Sequence, residues 1–545
     1  MLSLTGAQIF IESLLREGVD HIFGYAGATI CPLVDALKEV PEIGYTLVRT
    51  EQNAGHMASG YARTTGKTGV CMVTSGPGAT NLLTGIATAH LDSIPMVAIT
   101  GQVPSRLLGR DIFQEVDITG SVAAFSKHSY LVKNAADLPR IIKEAFLIAS
   151  TGRPGPVLID IPIDVQNQEV SHVVFPESVT IRGYNPSVRG NEKQVANVVS
   201  ALRRAKQPVL CAGGGVFLAH AEEELRAFAE HLQIPVVTTM MGLSLLPSDH
   251  PLNMGMIGSF GNRAANKALV KSDLLIMLGT RAADRAITSP SEIQRRMPSI
   301  HIDVDPAEIG KNIQSELPLV GDAKVILQQL MKKEPAPVEC GEWLSMLQAL
   351  RAEDLSQPLS RTEGFVSPGE LMRLLGHKLD ANAAVCVDVG QNQIWACKHL
   401  YINGTRFLTS GGLGTMGYSL PAAVGVKVAD PSRQTVVICG DGSFQMSMNE
   451  LAAIACAGYD IKILMIHNDV LGLVNQIQNA APYHGAFGVA LDGSPDYSRI
   501  AEAYGIPFLS LTSDADADAV LDRFLHVPGP CFLSVRVSPD ITVND

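Results

Sequence analysis

The segment TVVICGDGSFQMSMNELAAIACAGYDIKILMIHN (435–468) decides the fold class. Two β-rich apolar runs, 435–440 and 462–467, flank a stretch from Ser443 with helical periodicity, which predicts strand, helix, strand. In a right-handed βαβ unit, Asp441 and Asn468 emerge at the same edge of a parallel sheet. A carboxylate and a carboxamide there offer hard oxygen ligands for Mg²⁺, with phosphate oxygens completing its shell. Gly440 and Gly442 allow close backbone approach to an anion, and the helix start at Ser443 favours its charge.

A dinucleotide-binding interpretation competes with this one. The run GLGTMG (412–417) matches GxGxxG after the β-rich RFLTS and before a helix, with Asp441 roughly 20 residues further on. It leaves Asn468 and the first third of the chain unexplained. The sequence therefore favours the metal and diphosphate site.

The same alternation of strand-like and helical runs recurs along the chain. HIFGYAG, TGVCMVTS, PMVAITGQ and PVLIDIP fall in the first third, and PVLCAGGG, PVVTTM, DLLIMLGT and SIHIDVDP in the middle. Such alternation predicts an α/β protein with three doubly wound parallel-sheet domains, 1–165, 190–330 and 366–545. We expect polar connectors at 166–192 and 331–367.

Composition excludes several classes of function. Of 545 residues, 46% are hydrophobic, and 54 acidic against 42 basic residues give a net charge of −12. This balance argues against a nucleic-acid or anionic-membrane surface. Nine cysteines without a CxxC pair predict buried free thiols in a reducing, cytoplasmic compartment. The N-terminal apolar run carries charges, and both long uncharged stretches are interrupted by glycines, so we expect neither a signal peptide nor a membrane span.

A candidate acid–base residue lies in the first domain, in VRTEQNAGHMASGYAR (48–63). Glu51 follows a strand end and begins a helix, where a solvated glutamate is the common explanation. However, the Gly-rich runs TSGPGATN (74–81) and GQVP (101–104) also follow strand ends. All three segments would line one crevice at the carboxyl edge of the sheet.

Together these segments closely resemble the acetohydroxyacid (acetolactate) synthases, which depend on thiamine diphosphate, across nearly the whole chain. The matching runs are TSGPGATNLLTGIATAHLDSIPMVAITGQVP, FQEVDITG, GRPGPVLIDIP, IHIDVDPAEIGKN, VGQNQIWA, SGGLGTMGYSLPAAVG and GDGSF. The resemblance implies decarboxylation of pyruvate and transfer of the two-carbon unit to a second 2-oxo acid. It also implies a homodimer or homotetramer, with the cofactor between the first domain of one subunit and the third domain of another. A regulatory small subunit would be compatible, although no residue identifies one.

The resemblance implies a role for each matching residue. Glu51 matches the catalytic glutamate, which contacts the aminopyrimidine ring, and Gln114 matches a residue near the reacting groups. Asp441, Asn468 and the backbone carbonyl of Val470 match the metal ligands. The matching cofactor-binding positions are Tyr25, Pro77, Asn81, Gly390, Gln391, Gly414, Met416, Gly440, Asp441, Gly442, Ser443, Met446, Asn468, Leu471, Gly472 and Leu473.

The central domain resembles an FAD-binding domain only in part. Matching positions are Arg153, Gly213, Gly214, Gly215, Thr239, Gly279, Arg281, Arg285, Asp303 and Asp322. The usual RFDDR run reads RAADR (281–285), and a Met-His pair is replaced by Ser259-Phe260. Because FAD has no redox role in acetolactate formation, the resemblance allows FAD binding without requiring it.

The substrate end also departs from the family pattern. Ile477 replaces a tryptophan that favours 2-oxobutyrate as acceptor, Ala28 follows Gly27 as in catabolic members, and Asn392 replaces a histidine. The run SPDITVND ends the sequence where the family usually continues as a tail. A biosynthetic role in branched-chain amino acid formation and a catabolic role both stay open. The alternatives are another thiamine-diphosphate carboligase, 2-oxo acid decarboxylase, lyase or diketone-cleaving enzyme, and a non-catalytic descendant.

Overall fold

Three six-stranded sheets, each wholly parallel, organise residues 3–544, the range that this computed structural model describes. This confirms the predicted fold class. Each sheet has helices on both faces, because parallel strands are joined by crossover helices.

The first sheet has the strand order β3-β2-β4-β5-β7-β6, and β1 pairs with β8 in a separate two-stranded ribbon. The strands are β1 Leu4–Thr5, β2 His21–Tyr25, β3 Gly44–Leu47, β4 Gly69–Val73, β5 Met96–Gln102, β6 His128–Leu131, β7 Pro156–Pro162 and β8 Glu169–Val170. The helices are α1 Gly6–Arg16, α2 Cys31–Lys38, α3 Glu51–Thr65, α4 Pro77–Leu91, α5 Ile118–Ser121, α6 Leu138–Ser150 and α7 Ile163–Gln166.

The central sheet has the order β11-β10-β9-β12-β13-β14. Its strands are β9 Pro208–Ala212, β10 Val236–Thr238, β11 Asn253–Met256, β12 Leu274–Leu278, β13 Ser299–Asp303 and β14 Leu317–Val320. The helices are α8 Glu192–Leu202, α9 Gly215–Leu218, α10 Glu222–Leu232, α11 Arg263–Lys271, α12 Pro290–Arg296, α13 Ala323–Met331 and, after it, α14 Gly341–Ser356.

The third sheet has the order β16-β15-β17-β18-β20-β19. Its strands are β15 Ala384–Val387, β16 Arg406–Thr409, β17 Thr435–Gly440, β18 Ile461–His467, β19 Phe508–Leu511 and β20 Cys531–Arg536. The helices are α15 Pro368–Lys378, α16 Gln391–His399, α17 Ser419–Ala429, α18 Asp441–Gln445, α19 Leu451–Ala457, α20 Gly472–Gln478, α21 Tyr497–Ala503 and α22 Ala517–His526.

Two predictions of local structure need correction. The expected connector 331–367 contains α14, which buries Trp343 and Leu347 in the core of the central domain. The helix expected from Ser443 onward is broken: α18 ends at Gln445, and a 3₁₀ turn over Met448–Glu450 precedes α19. Glu450, the last residue of this turn, instead accepts hydrogen bonds from the start of α3 in the first domain.

The first and third domains pack closely through α3 and α17 and share one hydrophobic core. A Cβ added at Gly60 would lie 2.1 Å from the carbonyl oxygen of Ala422, and one at Gly425 would lie 2.0 Å from that of Met57. Glycine is required at both crossings, since any side chain would push the helices apart.

Within residues 3–544, every helix is too short or too polar to cross a lipid bilayer. All nine cysteines lie in this range and are free, but Cys31 and Cys456 are exposed, so the prediction of buried thiols is wrong for these two.

Candidate active site

The carboxyl ends of β17 and β18 bring Asp441 and Asn468 together, as the βαβ spacing predicts. Gly440 pairs with Ile466 across the two strands, so the residues that follow emerge side by side. Asp441 Oδ2 accepts hydrogen bonds from the backbone amides of Asn468 (3.2 Å) and Asp469 (2.7 Å). Asp441 is 2% exposed and Asn468 is 5% exposed. A buried carboxylate beside a buried carboxamide suits a hard divalent cation.

The burial of the Asp441 carboxylate favours a bound cation. Burial raises the pKa of Asp441, opposed by the hydrogen bond from the Asp469 amide. One ligand atom each from Asp441, His467 and Asp469 lie within 4.8 Å of one another. His467 and Arg536 contact Asp469 at 2.8 and 2.5 Å. A bound divalent ion would stabilise the ionised Asp441 that burial disfavours.

Glycines keep the space beside this pair open. A Cβ at Gly472 would lie 2.0 Å from Gln391 Oε1, and one at Gly442 would lie 2.8 Å from Leu471. Gln391 itself is buried and accepts a 3.3 Å hydrogen bond from the side-chain amide of Asn468. Gly390 has φ +147°, a conformation that L-residues rarely adopt. These residues form a cradle whose donors and open space fit a diphosphate with its metal.

The loop before α17 closes the cradle and is anchored by Asp388, which the sequence analysis does not single out. Asp388 accepts hydrogen bonds from the backbone amides of Gly417 (2.9 Å) and Ser419 (2.9 Å). Burial raises the pKa of Asp388. The Met416 methyl carbon would lie 3.6 Å from a Cβ at Gly442, so this loop reaches the metal pair.

Several predicted cofactor-binding residues lie at the border of the cradle. Leu471 is followed by Gly472 and Leu473 at the start of α20, and Val470 precedes them with its amide 3.3 Å from Asn468 Oδ1. Ser443 Oγ accepts a 3.0 Å hydrogen bond from the Gly440 amide. Gly414 (φ +72°) and Met446 lie toward solvent, Met446 with 56% of its surface exposed.

A second half of the site lies in the first domain. Glu51 is the first residue of α3, and its Oε2 accepts a 3.1 Å hydrogen bond from the Asn81 side chain. A Cβ at Gly78 would lie 3.3 Å from Glu51 Oε1, and Gln114 (φ +62°) covers Gly76, whose Cβ would lie 2.8 Å from that of Gln114.

Pro77 and Tyr25 complete this half at its edge. Pro77 is the first residue of α4, and Tyr25 ends β2 with 39% of its surface exposed. The structure thus places Glu51 beside the Gly-rich turn 74–81, and a crevice shared with 101–104 stays a prediction.

Within the described residues, the Glu51 side chain makes no hydrogen bond to the third-domain half of the site. Across residues 3–544, the one hydrogen bond of the Glu51 side chain is to Asn81, in its own domain. Large apolar side chains are exposed on both halves: Phe113 is 86%, Met446 56% and Ile477 48% exposed. Each half thus presents apolar surface that a monomer leaves in water.

A cavity of about 940 Å³ lies where all three domains meet. All of the positions predicted for FAD except Gly213 line it: Arg153, Gly214, Gly215, Thr239, Gly279, Arg281, Arg285, Asp303 and Asp322.

The chemistry of this cavity fits a dinucleotide. Gly279 has φ +56°, and a Cβ at Gly215 would lie 2.7 Å from its Cα, so the turn admits only glycines and keeps the backbone accessible. Burial lowers the pKa of Arg281, whose guanidinium faces the cavity beside Arg153. Burial raises the pKa of Asp303, at the end of β13, to about 6. A pyrophosphate would neutralise the positive charge of Arg281, and ribose hydroxyls would donate hydrogen bonds to the Asp303 carboxylate.

Comparison with known protein families agrees with this architecture. Three family models match in order: the N-terminal TPP binding domain of thiamine pyrophosphate enzymes over residues 4–121, the central domain over 195–330 and the C-terminal TPP binding domain over 388–535. Fold and site together define a thiamine-diphosphate enzyme.

Curated relatives narrow the class. An acetolactate synthase of Arthrospira platensis is 43% identical over 553 residues, covering 98% of this chain and 95% of the relative. A probable acetolactate synthase large subunit of Methanococcus aeolicus is 40% identical, covering 99% of this chain and 93% of the relative. The acetolactate synthase large subunit of Lactococcus lactis is 40% identical, covering 93% and 88%. The chain belongs to the acetolactate synthase family.

Proposed function

We propose that this protein is a thiamine-diphosphate- and Mg²⁺-dependent acetolactate synthase, which decarboxylates pyruvate and transfers the two-carbon unit to a second 2-oxo acid. The observation that carries the proposal is the buried Asp441–Asn468 pair at adjoining strand ends, in a chain that also holds Glu51 by a hydrogen bond from Asn81. Bound thiamine diphosphate supplies the electron sink for the decarboxylation.

The residues of this chain bind, orient and exchange protons. Asp441, Asn468 and the carbonyl of Val470 would hold Mg²⁺. Glu51 would hold and release a proton through its carboxylate, and the 3.1 Å hydrogen bond from Asn81 orients that carboxylate. Gln114, held at positive φ above Gly76, would face the reacting groups.

The working unit is a homodimer or a dimer of dimers. Within residues 3–544, the Glu51 side chain hydrogen-bonds only to Asn81 of its own domain, and both half-sites expose apolar side chains. Both observations support completion of each site by a second copy. Some relatives carry the name large subunit, so a regulatory small subunit is part of the proposal. The free thiols are consistent with a reducing compartment such as the cytoplasm.

FAD would occupy the central cavity as a structural cofactor. The glycine turn, the arginines and Asp303 support this, and Phe260 adds an aromatic wall. Flavin absorbance of the purified protein, with release of FAD on denaturation, would establish it; Arg281→Ala should weaken FAD binding about tenfold, the low end of losses for a charged hydrogen-bonding group.

A panel of 2-oxo acids, with products identified by mass spectrometry, tests the reaction. Pyruvate should give CO₂ and 2-acetolactate only when thiamine diphosphate and Mg²⁺ are present. Release of CO₂ without acetolactate would favour a decarboxylase or lyase. Cofactor binding by calorimetry without turnover of any 2-oxo acid would identify a non-catalytic descendant.

A further inference from the structure

The helix that carries Glu51 begins without a cap of its own. Thr50 occupies the N-cap position of α3, yet its side chain makes no capping hydrogen bond. Side-chain acceptors usually stabilise the first turn of a helix, and loss of one loosens that turn. The geometry of Glu51 therefore depends on contacts from elsewhere.

Glu450, about 400 residues further along the chain, supplies that contact from the third domain. Its Oε1 accepts hydrogen bonds from the Arg49 amide (2.8 Å), the Thr50 amide (3.3 Å) and the Asn53 side chain (2.9 Å). These donors bracket Glu51 on both sides. One carboxylate oxygen thus fixes the entry into α3 and its first turn.

Burial makes this arrangement costly and specific. Glu450 is fully buried and Asn53 is 1% exposed, while Glu450 Oε2 has no hydrogen-bond partner within residues 3–544. Burial raises the pKa of Glu450. A buried acid with one unpartnered oxygen destabilises a fold relative to an apolar residue, so a local positioning task explains its presence better than stability does.

The break in the helix after Asp441 places the Glu450 carboxylate against the start of α3. Asp441 begins α18, and Glu450 ends the 3₁₀ turn that interrupts the expected helix. A continuous helix would not contain this turn. The segment 441–450 therefore serves the metal site at one end and the Glu51 helix at the other.

The rest of α3 is held independently of Glu450. Arg63, near the far end, donates to the Thr409 carbonyl (2.9 Å) and pairs with Asp92 (2.7 Å). The middle is fixed by the glycine contacts with α17. Removing Glu450 should therefore loosen the first turn while the helix and the domain interface persist.

We infer that Glu450 is a positioning residue that holds Glu51 in its working geometry. The inference rests on the proposed role of Glu51. It assigns Glu450 no contact with substrate or cofactor, and its effect is transmitted through Arg49, Thr50 and Asn53.

Amide hydrogen exchange of the full-length protein, without cofactor, tests the positioning directly. Glu450→Ala should raise the exchange rates of the Arg49 and Thr50 amides about tenfold, as expected for loss of a helix-start acceptor. Glu450→Gln keeps an accepting oxygen and should restore rates to within about threefold of wild type. Unchanged exchange in Glu450→Ala would overturn the inference.

Kinetics of the loaded enzyme provide the second readout. Glu450→Ala should slow deuterium exchange at C2 of bound thiamine diphosphate about tenfold, with Glu450→Gln rescuing it and the cofactor Kd changing less than about threefold. In Glu51→Gln/Glu450→Ala, the rate should equal that of Glu51→Gln alone, because Glu450 acts through Glu51. Additive losses would show a different role and refute the inference.

Controls separate this outcome from failure of the proposed function. Asn191→Ala removes a helix cap in the central domain, where Asn191 accepts from Lys193 and Gln194, and should leave both readouts unchanged. If Glu51→Gln matched wild type, the proposed function would fail first. If Glu450→Ala did not fold, Glu450→Asp would take its place, because its shorter side chain withdraws the carboxylate from these amides: faster exchange at Arg49 and Thr50 supports the inference, and wild-type exchange overturns it.

Discussion

The two halves of the site are built differently. In the third domain, Asp441 and Asn468 are almost fully buried and are placed by two adjoining strands of one βαβ unit. In the first domain, Glu51 starts a helix whose first turn is held by Glu450 of another domain. The geometry of the metal half is thus set by residues close together in the sequence. The geometry of the acid–base half depends on contacts between residues far apart in the sequence. Substitutions should separate the two halves.

The largest expected effect is on Glu51. Glu51→Gln should lower turnover by roughly 10²–10⁴-fold, the usual contribution of a general acid–base group. The Kd for thiamine diphosphate should stay near wild type, because Glu51 lies outside the metal cradle. Steady-state kinetics and calorimetry would check both. Full turnover by Glu51→Gln would show that another group carries the proton.

In contrast to Glu51→Gln, Asp441→Ala should act mainly on cofactor binding. Loss of the buried carboxylate should weaken binding of thiamine diphosphate with Mg²⁺ about 100-fold, at the upper end of the effects measured around metal sites. Calorimetry at fixed Mg²⁺ measures it, and higher Mg²⁺ should restore part of the loss. Asn544→Ala, on the exposed surface, is a control that should bind as wild type does. Wild-type affinity in Asp441→Ala would exclude Asp441 as a ligand.

The same contrast explains what the sequence could predict. The 441–468 spacing is contained in one supersecondary unit, so strand order alone brings the pair together. Glu450 could not be found this way, because its partners lie about 400 residues away and its own segment has helical periodicity. Asp388 had a weak signal, an acid directly after a strand. Its partners in the Gly-rich loop before α17 become visible only in the fold.

The strands that the sequence does not predict share a common position in their sheets. In the first and central six-stranded sheets, the runs left unassigned, β3, β6, β11 and β14, all lie at sheet edges. Central parallel strands are covered on both faces and are therefore continuously apolar, while edge strands are shorter and less apolar. Helix α14 was missed because only Trp343 and Leu347, one turn apart, are buried among charged neighbours.

A substitution at Ile477 tests whether the acceptor 2-oxo acid binds beside the metal ligands of the third domain. Ile477 lies on α20, next to the cradle, and is 48% exposed. Ile477→Trp should shift the ratio of kcat/KM toward 2-oxobutyrate over pyruvate as acceptor, by about tenfold, within the range that one apolar group gives. Competition between the two acids, with products quantified by mass spectrometry, measures this ratio. Val474→Trp, one turn earlier, is a matched control; an equal shift in both variants would argue against a specific pocket at Ile477.

The smallest expected effect concerns Asp160, a buried aspartate in the first domain. Gln102 donates to Asp160 Oδ2 (3.0 Å) and to the Val116 carbonyl (2.9 Å), so Asp160 supports the loop that carries Gln114. Burial raises the pKa of Asp160 to about 7, above the ordinary 3.8 expected when unfolded. The folded protein then binds more protons between these values, so the contribution of Asp160 to stability is largest at low pH and falls as pH rises toward 7. The slope is at most about 1.4 kcal/mol per pH unit.

Urea unfolding of wild type and Asp160→Asn at pH 5 and pH 7 would measure this contribution. Asp160→Asn cannot titrate, so its stability relative to wild type should improve as pH rises. Asp164→Asn is the matched control, because the Ser105 hydrogen bonds contribute to a lowered pKa of Asp164 and leave it ionised in both states across this range. A constant difference between Asp160→Asn and wild type would mean that Asp160 is ionised throughout. The first half would then rest on a charged aspartate, and its loop would be held by ionic hydrogen bonds that do not weaken between pH 5 and pH 7.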